Sequence, residues 1–329
     1  MDRLRIGILG AAKIAAAAMV KPARTVSNVD VVAIAARDPE RAQRYADKHG
    51  IERVLPSYAD LIADPEIDAV YNPLPNGLHA EWTLAAIAAG KHVLCEKPFT
   101  ANAAEARQVA DAAAEGGVTV VEAFHYRYHP LAERMRTIAH GDHLGTVREI
   151  RTSMCFPLPK FSDIRYQYDL AGGAMMDAGC YALHCLRLLG TGEPEVVSAQ
   201  ALLQSPKIDR AMSADFRFPD GVRGHLETSM WSKRVLNLTA KVVGDRGTMH
   251  VFNFVAPQYY NLLSLTIDGH TRRERVRGGA TYVLQLKRFA ASVLRGEPSL
   301  TPAEDAVTTM GLIDDVYAAA GLPLRGAGS

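Results

Sequence analysis

Lys97 ends an apolar run, "HVLCEKPFT", that otherwise reads as a buried parallel strand. An ammonium at that position contributes nothing to packing. Further along, "GGAMMDAGCYALHCLRLLG" places Asp177 and Tyr181 four apart on one helix that also carries His184. Residues at that spacing share a helix face. A tyrosine, with an ordinary pKa of ~10, acts as a general acid only when its phenol is positioned and its pKa brought down. A nearby ammonium does this by favouring the phenolate. Lysine, tyrosine and carboxylate are thus the parts of a site that moves a proton to or from a developing alkoxide. A plainer account fits the same residues: Asp177 caps its helix and Tyr181 packs in the core.

A second group of residues is suited to phosphate. Gly10, Ala11, Ala12, Lys13, Ile14 and Ala15 lie between a first strand and a first helix. They read G-x-A-x-x-A, a relaxed dinucleotide fingerprint whose small residues let the backbone approach a pyrophosphate at a helix N-terminus. Ala-rich turns also serve close helix–strand packing. The second strand ends Ala35-Ala36-Arg37. Enzymes that use NAD usually place a carboxylate there for the ribose 2′-hydroxyl. Ala36 lacks it, and the Arg37 guanidinium can pair with a 2′-phosphate. This favours NADP(H), with NAD(H) the second option; the other reading is a solvated Arg37 followed by Asp38 as a helix cap. In "YNPLPNGLHAEW", Pro73, Leu74 and Pro75 stop a strand and stiffen the chain over the cofactor edge. Asn76 and His79 flank the next helix start, as cofactor contacts or as turn and cap residues.

These groups need a scaffold. Residues 1–121 alternate apolar runs with helical patterns. "RLRIGIL", "VDVVAIAA", "IDAVYNPL", "KHVLCEK" and "VTVVEAF" read as strands. "AAKIAAAAMVKPARTV", "DPERAQRYADKHG", "HAEWTLAAIAAG" and "NAAEARQVADAAAEGG" read as helices, the second with Asp38 as N-cap and Gly50 as stop. Strands apolar on both faces and alternating with helices predict a parallel sheet covered on two sides. Ligands bind outside the carboxyl ends of such strands. Residues 122–329 change rhythm: a helix, "PLAERMRTIAHG", is followed by many strands with turn signals such as Pro219-Asp220-Gly221 and Asp268-Gly269. They predict a mainly antiparallel sheet with one face on helices and the other toward solvent or a second subunit. A last helix follows Thr301, its expected N-cap. The fold class is therefore α/β: a doubly wound Rossmann sheet over 1–121, then an α+β domain over 122–329.

Composition narrows the function. Lys and Arg number 37 against 36 Asp and Glu, a net charge of +1. This argues against a broad nucleic-acid or membrane surface. Cys95, Cys155, Cys180 and Cys185 show no C-x-x-C spacing and read as reduced thiols of a cytoplasmic protein. No apolar run approaches a membrane span, and the first residues carry no long apolar leader. The 11 histidines show no ligand-like spacing, so no metal is expected.

"IGILGAAKIA", "PLPNGLH", "EKP" and "GGAMMDAGCY", in register along nearly the whole chain, resemble the Gfo/Idh/MocA oxidoreductases. The resemblance implies a Rossmann domain and a C-terminal substrate and oligomerisation domain. It implies that Lys97 is an active-site residue beside the nicotinamide, that Pro98 follows a commonly cis bond, and that Asp177 and Tyr181 match a D-x-x-x-H/Y motif. The tyrosine and "FPLPKFSDIRYQ" are similar to the branch with dimeric dihydrodiol dehydrogenase, D-xylose dehydrogenase and sugar 3-ketoreductases, which makes Arg165 a candidate substrate contact. The branch implies NADP(H) and a homodimer or homotetramer through the C-terminal sheet. Glu96 then joins the cofactor set, and His125 and His184 join Lys97, Arg165, Asp177 and Tyr181 as substrate-side candidates. His125 departs from the family, whose members usually have an apolar residue there, often methionine. It either adds a group titrating near pH 7 or is a hydrogen-bonded packing histidine.

The expected function is hydride transfer between NADP(H) and a carbonyl or hydroxyl of a sugar or polyol, with Tyr181 as general acid/base, Lys97 assisting and Asp177 orienting the substrate. The alternatives are a dihydrodiol or other non-sugar carbonyl oxidoreductase, and a non-catalytic NADP(H)-binding regulatory protein.

Overall fold

The computed structural model describes residues 3–233 and 235–326. The chain forms two compact units, Met1–Tyr128 with Tyr282–Met310, and His129–Thr281 with Gly311–Ser329. The boundary expected at 121/122 lies at the end of the sixth strand, and a stretch distant in sequence belongs to the first unit.

The first unit holds six parallel strands: β1 (Leu4–Leu9), β2 (Val29–Ala35), β3 (Arg53–Leu55), β4 (Ala69–Asn72), β5 (His92–Cys95) and β6 (Val120–Glu122). Their order is β3-β2-β1-β4-β5-β6, the doubly wound arrangement, with its reversal beside β1. Leu4, Ile6 and Ile8 of β1 pack with Ile34, Tyr71 and Leu94, all essentially inaccessible. Two elements were not expected from the pattern: β3, and the helix Tyr58–Ala63 capped by Ser57. A third is the helix Thr281–Arg295. Its apolar positions Tyr282, Leu286, Phe289, Ala290 and Val293 fall at helical spacing and join the core of this sheet.

The Ala-rich helix is not uniform. Lys13–Ala15 and Lys21–Ala23 are α-helical, and Ala16–Val20 between them is a π turn in which Lys21 N donates to Ala16 O. Pro22 follows and has no N–H to continue the ladder. Thr301 does not act as the expected cap: its hydroxyl donates to Glu122 O at 2.7 Å and meets Tyr128 Oη at 2.8 Å.

The second unit holds β7 (Val147–Cys155), β8 (Glu195–Ser205), β9 (Ile208–Arg217), β10 (Arg223–Ser229), β11 (Asn237–Gly244), β12 (Gly247–Phe252), β13 (Leu262–Ile267) and β14 (His270–Glu274). Their order is β14-β13-β12-β11-β7-β10-β9-β8, antiparallel except for β7 beside β10. Ile150, Thr152, Leu226, Ala240, Val242, Met249 and Val251 are buried. Their strand neighbours Arg151, Arg223 and Lys241 are exposed, as is His250. The helix Cys180–Leu189, buried over most of its length, packs on β7 and β10. All four cysteines are buried thiols. Among the described residues no helix is long and apolar enough to cross a membrane.

Candidate active site

The first-unit candidates all leave the carboxyl ends of parallel strands. Gly10 follows β1 with φ +81°, and a Cβ there would lie 2.9 Å from Leu74 Cδ2. Gly10 N donates to Ala35 O at 2.7 Å, and Arg41 Nη2 donates to Ala11 O at 2.8 Å, which fixes the turn. Lys13 and Ile14 are exposed at the head of the helix. The helices that begin after Asp38, Ser57 and Asn102 are capped by those side chains, but at Ala12 no side chain caps the helix. Ala15 N donates to Ala12 O at 3.1 Å, and no side chain takes the Lys13 and Ile14 amides ahead of it, which suits a pyrophosphate. Ala36 is buried and Arg37 exposed after β2. Asp38 accepts from Arg41 N at 3.1 Å, so that carboxylate is engaged as a cap. These residues fit a dinucleotide with a phosphate on its ribose.

Pro73 and Leu74 are buried after β4, and Asn76 opens a short 3-10 turn. Asn72, absent from the expected set, anchors this segment: its Nδ2 donates to His79 O and Thr83 Oγ1, and its Oδ1 accepts from Leu74 N. His79 is inaccessible, with Nδ1 2.8 Å from Pro98 O and Nε2 2.8 Å from Leu74 O. A neutral imidazole has one N–H and serves one of these carbonyls at a time. Its part here is to tie the β4 turn to the β5 turn. Lys97 and Glu96 lie just past β5, which ends at Cys95. Glu96 is buried and accepts from Tyr71 Oη at 2.7 Å; Lys97 is half-buried, and the Lys97–Pro98 peptide is cis. His125, in a 3-10 turn after β6, is buried with its ring 4.2 Å from that of Tyr282.

His125 does not titrate near pH 7. Burial, with the Lys97 ammonium adding to it, pushes it down to about 3. Burial and Lys97 push His79 to about 4, against the pull of the Pro98 and Leu74 carbonyls. Both rings stay neutral in the folded chain while the unfolded chain takes up protons below ~6.5. Their contribution to stability is therefore complete above ~6.5 and is lost as pH falls toward those values, by up to about 1.4 kcal/mol per pH unit for each ring. Urea midpoints are expected to fall between pH 7.5 and 5, and less steeply in His125→Phe. Parallel profiles for the two proteins would contradict the assignment.

The second-unit candidates sit on one stretch of chain. Asp177 lies inside a π turn, Met175–Gly179, whose N-cap is Ala174, so Asp177 is not the cap of its helix. Its Oδ2 is 3.0 Å from Arg165 Nε. The charge of Asp177 is the main cause holding the Arg165 guanidinium above its ordinary pKa. Arg165 also donates to Asp163 Oδ1 at 3.1 Å. Tyr181 and His184 are buried on the α-helix Cys180–Leu189. The four-residue spacing of Asp177 and Tyr181 thus spans a change from i→i+5 to i→i+4 bonding. Such π turns occur often at functional sites.

A description of the oxidoreductase family with an NAD-binding Rossmann fold matches residues 4–124, and that of the GFO/IDH/MocA C-terminal domain matches residues 132–250. D-xylose 1-dehydrogenase (NADP(+)) 2 of Haloferax volcanii is 37% identical over 96% of this chain and 97% of its own length. This chain belongs to the Gfo/Idh/MocA oxidoreductases. Among other relatives, the mouse trans-1,2-dihydrobenzene-1,2-diol dehydrogenase is 34% identical over 70% of this chain and 69% of its own. A 3-ketoreductase from Actinomadura kijaniata, solved with NADP and TDP-benzene, matches with a TM-score of 0.90 at 28% identity, covering 96% of this chain and 97% of the other. The Gfo/Idh/MocA chain therefore has the expected pairing of a parallel Rossmann sheet with a large, mostly antiparallel one.

Arg41, Asn72 and Tyr58 escaped the sequence reading. The Tyr58 hydroxyl lies 3.6 Å from where a Gly10 Cβ would stand. No spacing rule marks Arg41 and Tyr58, because each reaches the turn after β1 from another helix, whereas Asn72 ends the strand whose turn it anchors.

Proposed function

We propose that the protein is an NADP(H)-dependent oxidoreductase acting between a carbonyl and a hydroxyl of a sugar or polyol. The observation that carries this reading is the shared placement of Gly10–Ile14, Arg37 and Lys97 after the carboxyl ends of strands in one doubly wound sheet. The full-length likeness to an NADP(+) xylose dehydrogenase supports it. Gly10, Ala11, Ala12, Lys13 and Ile14 hold the pyrophosphate; Ala36 leaves room for the ribose phosphate, which Arg37 pairs. Pro73, Leu74, Asn76, His79 and Glu96 shape the nicotinamide end. When bound, the nicotinamide supplies or accepts a hydride.

In the reducing direction, Tyr181 donates its phenolic proton to the oxygen that becomes an alkoxide. Lys97 favours the phenolate and stabilises the charge on that oxygen. Asp177 accepts hydrogen bonds from substrate hydroxyls, with the Arg165 guanidinium beside it; His184 and His125 are the further substrate-side residues. Structures of the related 3-ketoreductase include variants with a tyrosine changed to phenylalanine and a lysine changed to alanine, which supports the choice of residue types. The test is an absorbance screen of NADP+ and NAD+ against aldoses, inositols and keto-sugars. No turnover with any sugar would count against the reading, and tight NADPH binding without turnover would favour a regulatory protein.

Arg37→Ala is expected to raise the KM for NADP+ about 10–100-fold and leave that for NAD+ nearly unchanged, from the ~1.5–3 kcal/mol of a hydrogen bond to a charged group. Equal changes for both cofactors would remove Arg37 from the phosphate site.

One observation favours a second reading, oxidation of dihydrodiols. Phe161 and Trp231, both exposed, gather around Tyr166, the residue after Arg165: the Phe161 ring centroid is 5.5 Å from that of Tyr166 and 6.3 Å from that of Trp231. Saturation by aromatic diols but not sugars would select it. The open sheet face, with Val197 and Leu202 exposed on β8, is the surface we assign to self-association as a dimer or tetramer. Buried thiols suit the cytoplasm.

A further inference from the structure

The C-terminal tail reaches back to the stretch that carries Asp177. Arg325 is wholly inaccessible, as is Asp209 on β9. The Arg325 guanidinium donates through Nε to Gly172 O at 2.7 Å, through Nη1 to Pro323 O at 2.8 Å and through Nη2 to Asp209 Oδ1 at 2.9 Å. Its face lies 4.0 Å from the Tyr317 ring centroid and 5.2 Å from that of Tyr168. Tyr168 Oη in turn donates to Leu324 O at 2.6 Å. The other Asp209 oxygen accepts from Met175 N at 2.7 Å. One guanidinium therefore holds Gly172 directly and Met175 through Asp209, the two ends of the turn that leads into Asp177.

That turn also carries the substrate-side pair. Gly173 N donates to Arg165 O at 2.8 Å, and Asp177 N donates to Gly173 O at 3.0 Å. Arg165 and Asp177 meet side chain to side chain at 3.0 Å. A buried ion pair is a costly way to fill space, since apolar residues of the same volume often stabilise a fold as well. What this pair supplies is direction: a planar fork with fixed donors, which a lysine could not reproduce.

We propose that Arg325 is a positioning residue for the reaction, fixing the 172–175 turn so that the Arg165–Asp177 pair and the helix bearing Tyr181 keep their working geometry. The proposal rests on the reading of Asp177 and Tyr181 given above. Two variants separate positioning from folding. Arg325→Met leaves the Asp209 charge buried and unpaired, so a lower Tm is expected. Arg325→Met/Asp209→Asn has no unpaired charge and keeps an acceptor for Met175 N, so its Tm should return to within about 3 °C of the parent.

In both, amides of residues 173–181 are expected to exchange hydrogen at least tenfold faster. The kcat with the panel sugar that reduces NADP+ fastest should fall at least tenfold, and the KM for NADP+ should stay within twofold. Exchange rates in the double variant within twofold of the parent would overturn the tether, and that arm needs no substrate. Faster exchange with unchanged kcat, while Asp177→Asn is inactive, would overturn positioning and leave the site reading standing. Full turnover by Asp177→Asn would overturn the site reading itself, and the positioning role with it.

Discussion

Tyr181→Phe and Lys97→Met are each expected to lower kcat by about 10²–10⁴-fold, the usual contribution of a positioned proton-transfer group. Tyr181→Phe removes one oxygen from a buried ring and keeps the ring's volume. Its cost to stability should be about 1 kcal/mol, that of one hydrogen bond. A Tyr181 that served only to pack would thus tolerate the change, and a Tyr181 that moves a proton would not. Lys97 is half-buried beside two histidines held neutral by burial and by its own charge, so it is the cation of that group. Its loss should leave NADPH affinity largely unchanged, because the pyrophosphate and ribose phosphate are held by the β1 and β2 turns. If tyrosine and lysine serve one step, the double variant should lose little more than the worse single one. Steady-state kinetics on a confirmed sugar decide the matter, and wild-type turnover by both single variants would sink the assignment.

The second large effect is on folding. Gly173 adopts φ +135°, and a Cβ there would stand 2.2 Å from Asp209 Oδ1 and 2.6 Å from the Tyr317 hydroxyl. Neither neighbour has room to yield, since both are fully buried and hydrogen-bonded to each other. Burial also pushes the Asp209 carboxyl upward, opposed chiefly by Arg325, so displacing that partner would be costly. Gly173→Ala is therefore expected to lose about 3–5 kcal/mol, the cost of breaking a buried ion pair, or on the order of 10 °C in Tm. Gly221 is the control: it has φ +84° and nothing within 4 Å of its Cβ position. Gly221→Ala should cost about 1–2 kcal/mol, the backbone strain alone. Equal melting shifts for the two variants would show that the crowding at Gly173 is relieved elsewhere.

The sequence by itself determined the parallel sheet, because strands buried on both faces must be apolar throughout and the helices between them are capped by recognisable residues such as Asp38 and Asn102. It determined which residues leave the carboxyl ends of those strands, because Gly10, Ala36, Arg37 and Lys97 follow apolar runs directly. Local sequence also marked Asp177 and Tyr181, through their spacing and the glycines before them. It could not show that Asp177 lies inside a π turn rather than at a cap, since the turn starts two residues earlier at Met175, whose N–H is taken by Asp209 from β9, distant in sequence. It did not reveal that His125 is held neutral: burial is set by Tyr282, far along the chain, and by the surrounding core. The helix Thr281–Arg295 has a legible apolar period, but only folding decides that its stripe lies on the first sheet. Arg325 looked like one more basic residue near the end of the chain. Tertiary contact alone gave it the Gly172 carbonyl and the Asp209 carboxylate, because hydrogen-bond partners distant in sequence leave no periodicity to read.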